Sequence, residues 1–257
     1  MIVIKLFGRI LSVTAGICVI GCASFPTPVN AAVTVSDSVF KYQYSGGSWQ
    51  LYQYIGDSTT VTLPQTYGGT AVTTICEGCF SDSGIVEVTI PEGYTTIESF
   101  SFSGCQSLKS VDFADSVSYI GMGAFSGCQI ESADLSRLNI DAIRNYTFKS
   151  CTSLKSVKLP ESVTYIGEYA FYETALENAE IPGKVTSLGD FAFADTASLE
   201  TVTLSNGLKT IGSSCFENSA LSSINLPEGL EKIGASAFRN ASSLASLYIP
   251  GSVEEIG

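Results

Sequence analysis

The sequence predicts a solenoid, a stack of short coils of the α/β type dominated by β structure. Parallel short strands are expected on one face and short helical or irregular segments on the other. Three observations carry this reading. First, Phe80, Phe102, Phe125, Phe148, Phe171, Phe193, Phe216 and Phe238 recur at steps of 22 or 23 residues. Second, other apolar columns keep the same period, such as Ile75, Ile97, Ile120, Ile143, Ile166, Leu188, Ile211, Ile233 and Ile256. Third, each period contains an inward/outward alternation of the kind a half-buried strand shows. Columns sharing one period are the signature of a repeat architecture.

The elements follow in chain order. Residues 1–31 read as an export signal. Lys5 and Arg9 precede an uncharged apolar run from Ile10 to Gly21, too short to span a bilayer as a helix. Pro26 and Pro28 break that run, and Val29-Asn30-Ala31 sets small residues for cleavage after Ala31. Val19-Ile20-Gly21-Cys22 is a competing reading, a lipoprotein box in which Cys22 carries the lipid and tethers the chain to a membrane. Both place the protein outside the cytoplasm, secreted or on the cell surface.

Residues 32–60 read as a β-hairpin cap. Phe40-Lys41-Tyr42-Gln43-Tyr44 alternates, Ser45-Gly46-Gly47-Ser48 turns, and Trp49-Gln50-Leu51-Tyr52-Gln53-Tyr54 alternates again. A solenoid end needs such a cover over its apolar face. The same aromatics are also candidates for a patch that stacks on sugar rings.

Residues 61–257 form the solenoid. In Leu108-Lys109-Ser110-Val111-Asp112-Phe113, Leu108, Val111 and Phe113 point inward and Ser110 and Asp112 outward. Proline often follows the strand, as at Pro160 and Pro227, and lacks the donor needed to continue a ladder. An Ile-Gly step and an Ala-Phe segment complete the unit. A helix pair needs about 34 residues and a propeller blade about 40. The period here fits one coil of a leucine-rich solenoid. Burying a large apolar side chain stabilises by roughly 1.5–3 kcal/mol, so each coil depends on its neighbours for a core. The last coil stops after Ile256-Gly257 without its Ala-Phe segment. The chain therefore reads as a fragment, or as ending in a frayed or partner-bound coil.

The unit Leu154-Lys155-Ser156-Val157-Lys158-Leu159-Pro160-Glu161-Ser162-Val163-Thr164-Tyr165-Ile166-Gly167-Glu168-Tyr169-Ala170-Phe171 resembles the BspA-like leucine-rich repeats of bacterial surface and secreted proteins. The resemblance spans about 61–257. It implies a leucine-rich-repeat fold and a role in binding or adhesion; it names no ligand.

Composition removes several functions. The chain holds no histidine, so no Ser-His-Asp triad, Cys-His dyad or His-ligated zinc is available. A formal charge of −12 argues against nucleic acid, which needs a basic footprint. No cofactor or catalytic set is expected. Cys105, Cys128 and Cys151 share a column with Ser83, Thr174, Thr196, Ser219 and Ala241, a small inward slot, and free thiols are expected there. Cys76-Glu77-Gly78-Cys79 spells CxxC, but its cysteines fall in the Gly and Ala columns, and either two small-residue slots or a local disulfide fits.

The outward strand positions are the candidate binding face: Ser110, Asp112, Ser132, Asp134, Ser156, Lys158, Asn178, Glu180, Thr203, Asn225 and Tyr248. The expected partner is an extracellular protein or glycan. Nucleic acid is not expected, and a membrane only through Cys22. A neighbouring column, Lys109, Glu131, Lys155 and Glu177, alternates in sign and is expected to form cross-strand pairs. Calcium at Asp112 and Asp134 lacks the D-x-D-x-D-G loop such a site uses. The leading expectation is a non-catalytic binding module; the alternative is the structural stem of a larger surface protein.

Overall fold

The computed structural model describes residues 5–6, 9–10 and 33–257. The backbone of Lys5–Leu6 pairs antiparallel with Arg9–Ile10. The expected apolar run beyond Ile10, Cys22 and the cleavage position after Ala31 lie outside the described residues.

From Thr60 onward the chain winds as a β-solenoid of stacked coils at the period read from the sequence. Each coil has three sides. The first is a strand row formed by Thr60–Thr62, Glu87–Thr89, Ser110–Asp112, Ser132–Asp134, Ser156–Lys158, Asn178–Glu180, Thr201–Thr203 and Ser223–Ile224. Its pairing is parallel and in register, with Ser110 opposite Glu87 and Asp134 opposite Lys158. The second is a row of two-residue strands at the Ile column, from Thr96–Ile97 to Glu255–Ile256, also parallel. The sequence reading gave the Ile-Gly step no strand; the structure adds this second row. Gly121 closes it against the coil before, where a Cβ would collide with the backbone of Ser99.

The third side carries the Phe column. Of the helical and irregular options, the structure takes the irregular one: the Ala-Phe segments are consecutive turns, and no helix occurs among the described residues. The eight Phe rings stack face to face from coil to coil. Centroids are 4.7 Å apart for Phe80–Phe102 and 5.6 Å for Phe148–Phe171, with ring planes 11° and 7° apart. Each such pair contributes about 0.5–1.5 kcal/mol beyond area burial.

The backbone beside each Phe explains why no helix forms. The residues two before and two after it have positive φ, as with Phe100 (55°) and Gly104 (74°), Tyr146 (62°) and Ser150 (56°), or Ser236 (59°) and Asn240 (56°). That turn sequence aims the Phe N–H at the next coil. Phe80 donates to the carbonyl of Ser101 at 2.7 Å, Phe148 to Ala170 at 2.9 Å and Phe216 to Ala237 at 2.8 Å. A left-handed residue other than Gly costs roughly 1–2 kcal/mol. An inter-coil hydrogen bond contributes about 0.5–1.5 kcal/mol and leaves no buried N–H unpaired.

At the N-terminal end, Phe40–Ser45 and Ser48–Tyr54 pair antiparallel, and Val33–Ser36 adds a third strand on the outer edge. Ser48–Tyr54 then runs parallel to Thr70–Ile75, which joins this layer to the Ile row. Tyr54 stacks on Phe80 at 5.0 Å and Phe40 meets the same ring edge-on at 6.0 Å. The exposed end of the Phe stack is thereby covered by aromatic rings. At the other end, Glu255–Ile256 pairs in the Ile row, but residues 245–248 form no strand beside Ser223–Ile224.

Candidate functional site

All eleven residues of the candidate face are exposed on the same side of the solenoid. Val88, Ala133, Ala179, Val202 and Ile224 alternate with them and enter the core, so the pleat fixes which side chains face outward. Adjacent parallel strands are about 4.8 Å apart. The outward residues therefore form stripes running across the coils.

The strand row divides into three ladders. Glu87–Thr89 pairs with Ser110–Asp112, Ser132–Asp134 with Ser156–Lys158, and Asn178–Glu180 with Thr201–Thr203. No ladder joins Ser110–Asp112 to Ser132–Asp134, or Ser156–Lys158 to Asn178–Glu180. The turn that leads into each strand changes length from coil to coil. From the Cys-column residue to the next buried aliphatic, Cys105 to Leu108, Cys151 to Leu154 and Thr196 to Leu199 span three residues. Ser83 to Ile85, Cys128 to Ile130 and Thr174 to Leu176 span two. The longer version closes a turn, with the Leu108 N–H donating to Cys105 O at 3.0 Å and the Leu154 N–H to Cys151 O at 2.9 Å. Up to Thr203 each short-turn coil pairs with the long-turn coil after it and both breaks come on passing from long to short, but Thr201–Thr203 pairs with Ser223–Ile224 across the same change, so turn length alone does not set the breaks. This two-coil alternation was present in the spacing of Cys, Ser and Thr to the following Leu or Ile, and the sequence reading did not use it.

One charged group on the face is tied down by its neighbours. Asp134 accepts hydrogen bonds from the Ser136 hydroxyl at 2.6 Å and the Ser136 N–H at 3.1 Å. Lys158 Nζ lies 3.1 Å from its other oxygen. The Ser136 bonds, followed by Lys158, hold the Asp134 carboxyl down at about 2. Asp112, on the near side of the first break, has no ion pair among the described residues. The alternating column behaves differently from expectation. Lys109, Glu131, Lys155 and Glu177 form no ion pair among the described residues; their backbones pair instead, Glu131 N–H to Lys109 O at 3.2 Å and Lys155 N–H to Glu131 O at 3.0 Å. Their side chains point to solvent, where a flexible pair gains little.

Two open depressions are present among the described residues. One, of about 520 Å³, is lined by Glu77, Thr96, Glu98, Ser99 and Tyr119 along the Ile row. The other, of about 260 Å³, lies where the cap meets the face, between Asp37, Phe40 and Tyr42 on one side and Ser58, Thr60 and Thr62 on the other. Among the described residues no group of three or more Cys, Asp or Glu is placed to hold a metal ion. No described helix is long and apolar enough to cross a membrane.

The six described cysteines are free and buried. In the shared column, Cys105 Sγ donates to Phe80 O at 3.0 Å, Cys128 to Phe102 O at 3.2 Å and Cys151 to Phe125 O at 3.1 Å. Thr174 and Thr196 fill the same slot by donating to Phe171 O and Phe193 O in their own coils, at 2.9 and 2.6 Å. The slot thus accepts small side chains: the three Cys and two Thr reach a Phe carbonyl, Ser83 bonds to Cys105 Sγ at 3.4 Å, and Ser219 Oγ has no partner among the described residues.

A parallel solenoid with a Leu-rich strand row and a stacked Phe column is a leucine-rich-repeat protein. The model of the BspA type leucine rich repeat region matches six copies over residues 73–186 and 164–257, and the chain belongs to that family. None of the curated proteins compared matches the sequence. Among solved structures, the pneumococcal vaccine antigen PcpA is similar at 22% identity and TM-score 0.62, over 86% of this chain and 71% of that one. A T. pallidum leucine rich repeat protein gives 21% and 0.54, over 84% and 96%. A leucine rich cell surface protein of Faecalibacterium prausnitzii gives 21% and 0.53, over 87% and 84%. At these identities the likeness concerns the fold.

Proposed function

We propose that this protein is an exported, non-catalytic binding module that uses its strand row to hold a cell-surface protein or glycan. One observation carries the reading: an unobstructed row of exposed polar side chains on a rigid scaffold. From Ser110 to Tyr248 the outward positions are exposed in coil after coil. Apart from the Asp134–Lys158 pair, they make no ion pairs with one another among the described residues. Stability rests on the buried columns, which leaves the face free to vary. The family model and the solved structures, one of them a leucine rich cell surface protein by its printed name, support a repeat protein in that setting.

The test is the fourfold variant Asp112→Ser, Asp134→Ser, Lys158→Ser and Glu180→Ser. Labelled protein is applied to intact epithelial cells and to an array of immobilised glycans. Retention by the parent and at least about tenfold weaker retention by the variant, an effect of about 1.4 kcal/mol, supports the binding face. Equal retention removes these residues from binding and moves the protein to the role of a structural stem. Thermal melts of both forms establish that the variant is folded.

A further inference from the structure

The Cys76–Cys79 segment occupies a position that no other coil fills in the same way. In most coils the turn before the Phe of the column is closed by a bond from its fourth residue back to its first. The Ala124 N–H donates to Gly121 O, Ala170 to Gly167, Ala192 to Gly189 and Ala237 to Gly234, at 3.2–3.3 Å. In the first coil the same bond runs from the Cys79 N–H to Cys76 O at 3.1 Å, with Gly78 between them at φ 64°. Cysteine therefore stands at both corners of a hydrogen-bonded β-turn. The corners of such a turn have Cα atoms less than about 7 Å apart, and disulfides bridge Cα atoms about 4.4–6.8 Å apart.

This turn is also the seam between cap and solenoid. The Cys76 N–H donates to Leu51 O and the Tyr54 N–H to Cys79 O, both at 2.8 Å. Gln43 Nε2 donates to Cys76 Sγ at 3.3 Å and also to Gln50 Oε1 at 2.8 Å, so the hairpin's amides lie directly against this thiol. Cys76 and Cys79 retain 4% and 3% exposure, whereas Cys105, Cys128, Cys151 and Cys215 are at 0%. The latter four lie one to a coil, and Cys105, Cys128 and Cys151 direct their sulfurs to Phe carbonyls.

We propose that Cys76 and Cys79 are a redox-active dithiol, which a small-molecule disulfide such as glutathione disulfide converts into a bridge across the turn, a staple within the first coil that stiffens the seat of the cap. Cys76 as its thiolate attacks one glutathione sulfur, forming a mixed disulfide and releasing one glutathione. Cys79 then attacks the Cys76 sulfur and releases the second. One S–S bond forms in the protein and one breaks in the oxidant. The two electrons and two protons lost by the thiols leave as the two glutathione thiols. Burial, then Glu98, pushes the Cys76 thiol up to about 12, and burial raises Cys79 as well. The dithiol therefore gains no stability from a thiolate at neutral pH. The bridge forms slowly, because the attacking thiolate is scarce at neutral pH.

The test equilibrates the folded full chain in buffers of graded glutathione to glutathione-disulfide ratio, followed by acid quench and alkylation. The expected result is a loss of about 2 Da, one pair of hydrogens, mapped by peptide analysis to Cys76–Cys79, with Cys105, Cys128, Cys151 and Cys215 alkylated. Cys79→Ala, which installs the residue other coils use at this corner, keeps the fold and abolishes that bridge. Hydrogen exchange at the Tyr54 amide slows at least about threefold on oxidation, because opening the seam becomes rarer. No bridge at any ratio, a glutathione adduct on Cys76 alone, or a bridge between other cysteines overturns the dithiol. A Cys76–Cys79 bridge with unchanged exchange at Tyr54 overturns the staple.

Discussion

The Phe side and the strand row are built from the same coils, but they are held together differently. On the Phe side the ring stack and the N–H bonds to the next coil run without interruption from Phe80 to Phe216. On the strand row the ladder breaks twice, after Asp112 and after Lys158. Continuity on one side permits irregularity on the other. The breaks cost little because the coils are already fixed in register by the buried columns. Outward residues on the strand row are therefore released from a structural role, which a surface needs if it is to be adapted to a partner.

The sharpest way to break this comparison is to cut the ring stack. Phe148 is fully buried between Phe125 and Phe171. Phe148→Ala should cost about 3–5 kcal/mol, read as a lower urea midpoint and melting temperature. Asp112→Ser on the strand row should change neither by more than about 0.5 kcal/mol. Equal effects would mean that the two sides share the load.

A second substitution tests the close stacking of coils. Gly121→Ala places a methyl against the backbone of Glu98 and Ser99, which cannot swing aside as a side chain would. A loss of about 1–3 kcal/mol is expected in the same denaturation assay, against almost none for Gly84→Ala, where the added Cβ meets open space.

These effects show which parts were legible in the sequence. The apolar columns, the strand alternation and the exposure of the face were read correctly because burial acts directly on residue type: most positions facing the core are Ile, Leu, Val, Phe or Ala. The turns beside each Phe were not legible. Their left-handed positions are filled by Gly123, Phe100, Tyr146, Glu173, Asp195 and Asn218 alike, so no residue type marks them. Tyr146, Tyr169 and Phe191 tolerate that conformation while stacking on one another at 5.3 and 4.7 Å. The second strand row was missed because two residues are too few to show an alternation. For the face, the sequence identified which side chains point outward, but no residue type marks where the ladder breaks, and what the face binds has no pattern of its own.

The left-handed positions give a smaller and opposite prediction. Ser236 is exposed, has φ 59°, and makes no side-chain hydrogen bond among the described residues. Ser236→Gly removes the steric cost of that conformation and should stabilise by up to about 1 kcal/mol, seen as a raised midpoint. A lowered midpoint would show that the turn is not strained there and that the inter-coil bonds alone shape it.

The smallest effect expected is electrostatic and separates the two sides by pH. The Asp134 carboxyl is held at about 2 by Ser136 and then by Lys158, below its ordinary value of 3.8. A carboxyl depressed in the folded state contributes stability that is present above its unfolded value and lost as pH falls through the folded one. The window is therefore about pH 4 down to 2. Both partners are largely exposed, at 54% and 73% of the side chain, so the contribution is under about 1 kcal/mol and its Lys158 part weakens in salt. Urea melts of the parent and Asp134→Asn should differ at pH 6 and converge at pH 2, whereas the deficit of Phe148→Ala should be the same at both, since ring stacking carries no titrating group. A difference for Asp134→Asn that persists undiminished at pH 2 would mean that this residue acts through the shape of its turn with Ser136 and not through its charge. The strand row would then owe part of its form to the very residues that the binding reading treats as free.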